Sequence, residues 1–214
     1  MTKSSDRFPG LIHFDETLLV ADKPPGLLSV PGRGEGKQEC LSARIQRDFP
    51  DALVVHRLDM ATSGLMVFAR GAEMQRLLSR MFRERRVEKR YVAVVTGRVG
   101  NAWGEIELPM LSDWPNRPRQ KVDFVLGKQA TTCYRLLGYD ALADTSSIEL
   151  EPVTGRTHQL RVHLAAIGHP ILGDALYGKS KCGFAGRMLL HASKLGFSHP
   201  LRGNRLSFES ASPF

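Results

Sequence analysis

Apolar and polar positions alternate, cluster and break along the chain in a way that predicts most of its elements. "ETLLVADKPPGLLSVPG", from Glu16, is an apolar run cut by Pro24-Pro25-Gly26 and then resumed. It reads as a strand, a sharp turn and a second short strand. "LSARIQRDF" repeats Leu41, Ile45 and Phe49 at fourfold spacing, the period of a short helix. Val54-Val55 and the run Leu65 to Ala69 form a strand pair around the knot His56, Arg57 and Asp59. "AEMQRLLSRMFRER" puts Met74, Leu77, Leu78, Met81 and Phe82 on one helical face, with Arg76, Arg80 and Arg83 opposite. "KRYVAVVTG", "GEIELPM", "ATTCYRLLGY" and "SSIELEPV" read as strands. "DWPNRPRQKV", from Asp113, reads as a loop because of its two prolines and Asn116. "TGRTHQLRVHLAAIG" reads as a helix with Leu160, Leu164 and Ile167 inward and Gly168 as its stop.

Strands outnumber helices, and their connections are too short for regular βαβ crossovers. The expectation is an α+β fold, a mixed and mostly antiparallel sheet with a few packed helices. Internal repeats, linkers and low-complexity segments are absent from the sequence, which predicts a single domain over residues 1–214.

Composition narrows the class. A chain of 214 residues buries roughly 70% of its extended surface and needs no disulfide framework. Cys40, Cys133 and Cys182 are widely spaced and form no Cys-x-x-Cys, so they read as buried or incidental thiols of a reducing compartment. The polar start "MTKSSDRFPG" does not resemble a signal peptide, and no apolar run is long enough to span a bilayer. The expected location is cytoplasmic, with no membrane partner. The formal charge of +8 changes the picture most, because such an excess draws polyanions to the surface.

The cations are gathered. "RMFRERRVEKRY" carries Arg80, Arg83, Arg85, Arg86, Lys89 and Arg90 against Glu84 and Glu88. Macrodipole complementarity at a helix end accounts for two or three of these, not for all. In "DWPNRPRQKV", Trp114 sits among Arg117, Arg119 and Lys121, a combination suited to stacking on a base beside phosphate contacts. Phosphate contact by Arg83, Arg86, Lys89 and Arg90, and by the Trp114 loop, is therefore expected.

Several other chemistries are not supported. His158 and His163 are five apart, not at the i,i+4 spacing of a zinc helix, so no metal is expected. "PGRGEGK" is glycine-rich but lacks the Gly-Lys-Ser/Thr of a nucleotide-binding loop. "HRLD" resembles a kinase catalytic loop without its Asn partner. Asp59 has two readings: a turn former before Thr62-Ser63-Gly64, or a catalytic carboxylate kept ionised by arginines such as Arg57, Arg156 and Arg161. The residues alone leave open a nucleic-acid-modifying enzyme, a noncatalytic RNA-binding or chaperone protein, an N-glycosylase, and a basic enzyme of small nucleotides.

Six ordered motifs carry a resemblance to the RluA-type pseudouridine synthases. They are "DKPPGLLSVPG", "HRLDMATSG", "KRYVAVV", "TGRTHQLRVH", "GHPILGDALYG" and "LLHASKLGFSHP", running from about Thr17 to Pro213. The resemblance implies isomerisation of uridine to pseudouridine within RNA. Asp59 matches the family's essential aspartate and Tyr91 the tyrosine that stacks on uracil. Arg161 matches the arginine paired with the aspartate, and Arg57 the residue that fills the gap left by the flipped base. Asp174 is expected to shape a turn or cap a helix. The resemblance further implies no cofactor and no N-terminal S4 RNA-binding domain. The Trp114 loop points to members acting on both a 23S rRNA loop and a tRNA anticodon stem-loop. The expected assembly is a monomer bound to one structured RNA.

Overall fold

Burial in the structure follows the sequence periods closely enough that most elements fall where the pattern puts them. The structure is a computed structural model and describes residues 8, 10–32, 34, 36–178 and 186–214. Cys182 lies outside the described residues. Chain contacts divide the protein into two compact units, residues 1–88 with 192–211, and residues 89–191 with 212–214.

In the first unit, β1 (Leu11–Phe14), β2 (Leu18–Lys23), β3 (Ala52–Val54) and β4 (Ser63–Arg70) pair antiparallel, with Leu18 opposite Ala69 and Lys23 opposite Gly64. Seven residues of β4, Ser63 to Ala69, are buried, so this strand reads as an uninterrupted apolar run. Among the described residues, two helices belong to this unit: α1 (Leu41–Asp48) and α2 (Gly71–Arg83). The face of α2 formed by Met74, Leu78 and Met81 packs on Leu18, Val20, Leu65 and Val67, together with Leu195 and Phe197. Each such side chain, fully buried, contributes roughly 1.5–3 kcal/mol of transfer free energy. Polar Arg76, Arg80 and Arg83 take the solvent side.

The second unit is a four-stranded antiparallel array in the order β5 (Glu88–Thr96), β10 (Thr145–Pro152), β9 (Thr131–Asp140) and β6 (Trp103–Glu107). Tyr91 lies opposite Leu150, and Gly104 opposite Tyr134. Beside it stand a small hairpin, β7 (Met110–Ser112) with β8 (Gln120–Val122), and the helix α3 (Gln159–Ala166). Every residue of α3 from Gln159 to Leu164 is buried. Two further strands close the chain, β11 (Leu190–Ser198) and β12 (Arg205–Glu209), paired antiparallel. The described ladders are antiparallel and three α-helices accompany them, so the fold is α+β as expected.

Three local expectations need correction, and three strands went unpredicted. The segment "DWPNRPRQKV" is not loop throughout, because Gln120 to Val122 follows the prolines and pairs with Met110 to Ser112. The prolines only confine the irregular part to residues 113–119. Ile167 is 38% exposed, since the helix has ended at Ala166 and the chain is turning out through Gly168 at φ 89°. The second strand after Pro24-Pro25-Gly26 shrinks to one bridge between Leu28 and Cys40. The strands β1, β11 and β12 were not singled out by pattern. Among the described residues, no helix is long and apolar enough to cross a membrane.

Candidate functional site

Asp59 sits on the connection between β3 and β4, and that connection is fastened from within its own unit. Lys23 is fully buried, and its ammonium donates to the carbonyls of Pro24, Leu27 and Met60 at 2.8–3.1 Å. Ser29 grips Leu58 twice, donating its hydroxyl to the Leu58 carbonyl at 2.7 Å and accepting the Leu58 N–H at 3.1 Å. The Gly26 N–H reaches the Met60 carbonyl at 2.8 Å. Burying an ammonium is tolerated only when its donors are met, so Lys23 ties the Pro-Pro-Gly turn to the Asp59 loop. "DKPPGLLS" is thus the clamp of that loop. The sequence offered only a weak signal for it, a Lys between an apolar strand and a Pro-Pro-Gly turn.

The loop presents its residues selectively. Leu58 is buried, Asp59 half-buried, and Arg57 and Met60 exposed. Thr62 N–H returns to the Asp59 carbonyl at 3.1 Å, so Asp59 does shape a turn through its backbone. Arg57 makes no side-chain hydrogen bond or ion pair among the described residues. His56 is structural: its Nε2 accepts the Val67 N–H at 3.0 Å and its ring stacks on Phe82 at 4.4 Å. Gly64, at φ 111°, has no room for a side chain, since a Cβ would stand 2.4 Å from the Ala192 carbonyl oxygen.

The cations after α2 divide into two groups. Arg83 and Arg86 are exposed, with Arg86 held loosely by Glu84 at 3.4 Å. Lys89 donates to the Pro152 carbonyl at 3.1 Å, and Arg90 bridges Glu149 and Glu151 at 3.1 and 3.2 Å. Those two side chains serve the ladder of the second unit as well as its charge. Tyr91 follows them on β5 and is half-buried.

In the second unit, the tip of the β7–β8 hairpin is a 3-10 turn, Trp114 to Asn116, followed by a cis Arg117–Pro118 bond. Asp113 and Arg119 close it backbone to backbone at 3.0 Å. Trp114 is 67% exposed, and the Arg117 guanidinium lies over its ring at 3.6 Å. A base stacking on this indole would therefore take its other face. Lys121 pairs with Asp123 at 3.1 Å, and exposed Arg156 donates to the Gln129 carbonyl at 3.2 Å.

Arg161 lies on α3 and is buried together with Asp174. Its Nε and Nη2 donate to the two carboxylate oxygens at 2.7 and 2.8 Å. Burial opposes ionisation of Asp174, yet the Arg161 bonds and charge, with the N–H groups of Leu176 and Tyr177, hold its pKa below the usual carboxylate value. Asp174 therefore shapes the turn, as expected, and also partners Arg161. Gln159, missed at the sequence level, anchors the start of α3 by donating to the Thr131 carbonyl and Thr132 hydroxyl and accepting the Arg156 N–H. Among the described residues no His/Cys/Asp/Glu group has the geometry to hold a metal ion.

Comparison with known proteins bears on what such an arrangement does. The profile of the family described as RNA pseudouridylate synthase matches residues 17–166. A protein of Escherichia coli strain K12, named dual-specificity RNA pseudouridine synthase RluA, is 48% identical over 205 residues, covering 95% of this chain and 93% of that protein. Its namesake from Haemophilus influenzae is 46% identical over 206 residues, covering 95% and 93%. The solved structure of human RNA pseudouridylate synthase domain containing 1 superposes with a TM-score of 0.81 at 28% identity, covering all of this chain and 87% of the human one. Human RNA pseudouridylate synthase domain containing 4 gives 0.77 at 26% identity, covering 95% and 88%.

Proposed function

Because the chain belongs to the RNA pseudouridylate synthase family, we propose that it isomerises uridine in structured RNA loops with Asp59 as the catalytic carboxylate. The observation that carries this assignment is the Asp59 loop itself, clamped by Lys23 and Ser29 while Arg57 projects from it into solvent. Rigid support of a reactive group is what such chemistry requires. The relatives named dual-specificity support action on two classes of RNA, and the Trp114 hairpin supports loops as targets. The proposed substrates are a 23S rRNA loop and a tRNA anticodon stem-loop.

The reaction conserves atoms. The N1–C1′ bond breaks, uracil rotates while held, C5 joins C1′, and the C5 proton is lost as N1 gains one. A stacked uridine must first be extruded, at a cost of a few kcal/mol. Arg57 is assigned to the vacancy, where a planar guanidinium stacks and reaches phosphates. Tyr91 is assigned to the face of the loosened base. Arg161 is assigned as the cation that keeps the carboxylate charged, which every role open to it demands: attack at C1′, addition to the ring, or removal of the C2′ proton. Arg83, Arg86, Lys89, Arg90, Trp114, Arg117, Arg119, Lys121 and Arg156 are assigned to the RNA. No step calls for a cofactor, and one monomer suffices for one loop.

Tritium release from C5-labelled uridine in both transcripts tests the reading. Wild type should release tritium and no free uracil, and Asp59→Asn should lower the rate by at least about a thousandfold with RNA binding retained. Undiminished release from the variant would remove Asp59 from the chemistry. Free uracil would instead indicate a glycosylase, and binding without release a noncatalytic protein.

A further inference from the structure

The residues "GDALYG" contribute Tyr177, which no catalytic assignment uses, yet it stands at a junction inside the second unit. Its hydroxyl accepts the backbone N–H of Gln120, the first residue of β8, at 2.7 Å. The same hydroxyl hydrogen-bonds with His158 Nδ1 at 2.8 Å, immediately before α3. Its ring carries the guanidinium of Arg161 at 5.1 Å and that of Arg119 at 5.4 Å. It also packs against the apolar cluster of Met110, Ala130 and Val162, which joins the hairpin base to α3. The neighbouring Asp174 fixes Tyr177 in turn, accepting its N–H at 3.1 Å while binding Arg161 through two donors.

One aromatic side chain thus touches the strand that follows the Trp114–Arg119 tip, the exposed arginine of that tip, and the buried Arg161. Hairpins of three residues per strand have few ladder bonds of their own to fix their attitude. A tertiary hydrogen bond at Gln120 therefore carries much of that task here. Cation–π contact and a bidentate carboxylate likewise leave a guanidinium little freedom to swing.

We propose that Tyr177 is a positioning residue that couples the RNA-gripping hairpin to Arg161, with Asp174 as the post on which both are set. Its hydroxyl holds the hairpin in register for the RNA, and its ring, with Asp174, holds the Arg161 guanidinium. The proposal rests on the reading of Arg161 as a member of the active site and of the hairpin as an RNA contact. Removing the hydroxyl and removing the ring should therefore have different kinetic consequences.

Tyr177→Phe, Tyr177→Leu and Asp174→Asn separate them, with tritium release and RNA affinity measured on the same stem-loop. Loss of the hydroxyl alone should raise KM about tenfold, the worth of one good hydrogen bond, with a much smaller change in kcat. Tyr177→Leu should add a loss in kcat, and Asp174→Asn should lower kcat predominantly. The hydroxyl acts through the hairpin, so Tyr177→Phe combined with Arg119→Ala should raise KM by less than the product of the single effects. Multiplicative effects, or a Tyr177→Phe enzyme with unchanged KM and RNA affinity, would overturn the coupling. A thermal melt accompanies each variant. If Tyr177→Leu fails to fold, Tyr177→Phe and the double variant still decide the matter. Wild-type enzyme that bound RNA and released no tritium would defeat the functional reading instead, while the effect of Tyr177→Phe on RNA affinity would still test the link to the hairpin.

Discussion

At the scale of single residues, polar groups inside the protein are matched to partners that fix what they can do. Lys23, Ser29 and Gln159 are not placed to react, and each spends its hydrogen bonds on a loop or helix start near an assigned residue. His199 is similar, accepting the N–H groups of Leu201 and Arg202 and bonding the Thr17 hydroxyl. Lys23→Met, which keeps the volume and loses three donors, should lower kcat at Asp59 and cost about 1–3 kcal/mol in urea unfolding. Asp15 gives a pH signature. Burial opposes its ionisation, but hydrogen bonds from Thr17 and from the Leu18 N–H outweigh that and lower its pKa from 3.8 to about 2. The folded state thus binds this proton only at lower pH than the unfolded chain does. The stabilisation is complete above the unfolded value and disappears as pH falls through the folded one. It corresponds to roughly 2 kcal/mol at neutral pH, discounted for partial exposure. Asp15→Asn should therefore unfold at lower urea than wild type at pH 7, with the gap closing below about pH 3.

At the scale of elements, the strand β4 and the β7–β8 hairpin make contrasting demands. The first tolerates no change where it meets Ala192: Gly64→Ala adds a methyl 2.4 Å from a carbonyl oxygen at a φ of 111°. Its expected cost of roughly 3 kcal/mol or more should appear as insoluble protein or a large fall in Tm. The hairpin tip, by contrast, is exposed from Trp114 to Arg119. Arg117→Ala with Arg119→Ala should weaken RNA binding and reduce the slope of log affinity against log salt by about 1.4 to 1.8, the loss of two phosphate contacts. An unchanged slope would take these arginines off the phosphates. Proline did predict the irregular tip, but it could not rule out the strand that follows, because β8 owes its existence to pairing with β7.

At the scale of the whole molecule, a charge of +8 accounts for attraction to RNA, and the family for what happens to it. Pseudouridine formation is an internal rearrangement without net oxidation. Incubation with a chelator and removal of small molecules should leave tritium release undiminished; lost activity restored by a divalent ion would contradict the metal-free assignment. Raising salt should slow the reaction through KM before kcat, since long-range attraction is screened and local chemistry is not.

Period and residue type by themselves determined the two amphipathic helices α1 and α2, the strands of the antiparallel array, and the ordered motifs that carry the family. These depend on neighbours in sequence, where helical and strand periods are written directly. The motifs also marked Asp59, Tyr91 and Arg161. What tertiary structure decided was the work of residues whose partners lie far along the chain. Lys23 meets Met60, Tyr177 meets Gln120, and Asp174 takes Arg161, each across a separation that no local period encodes. A hydrogen-bond partner is chosen by the folded path, so a buried Lys or Tyr looks ordinary in sequence until that path brings its acceptor within 3 Å or so.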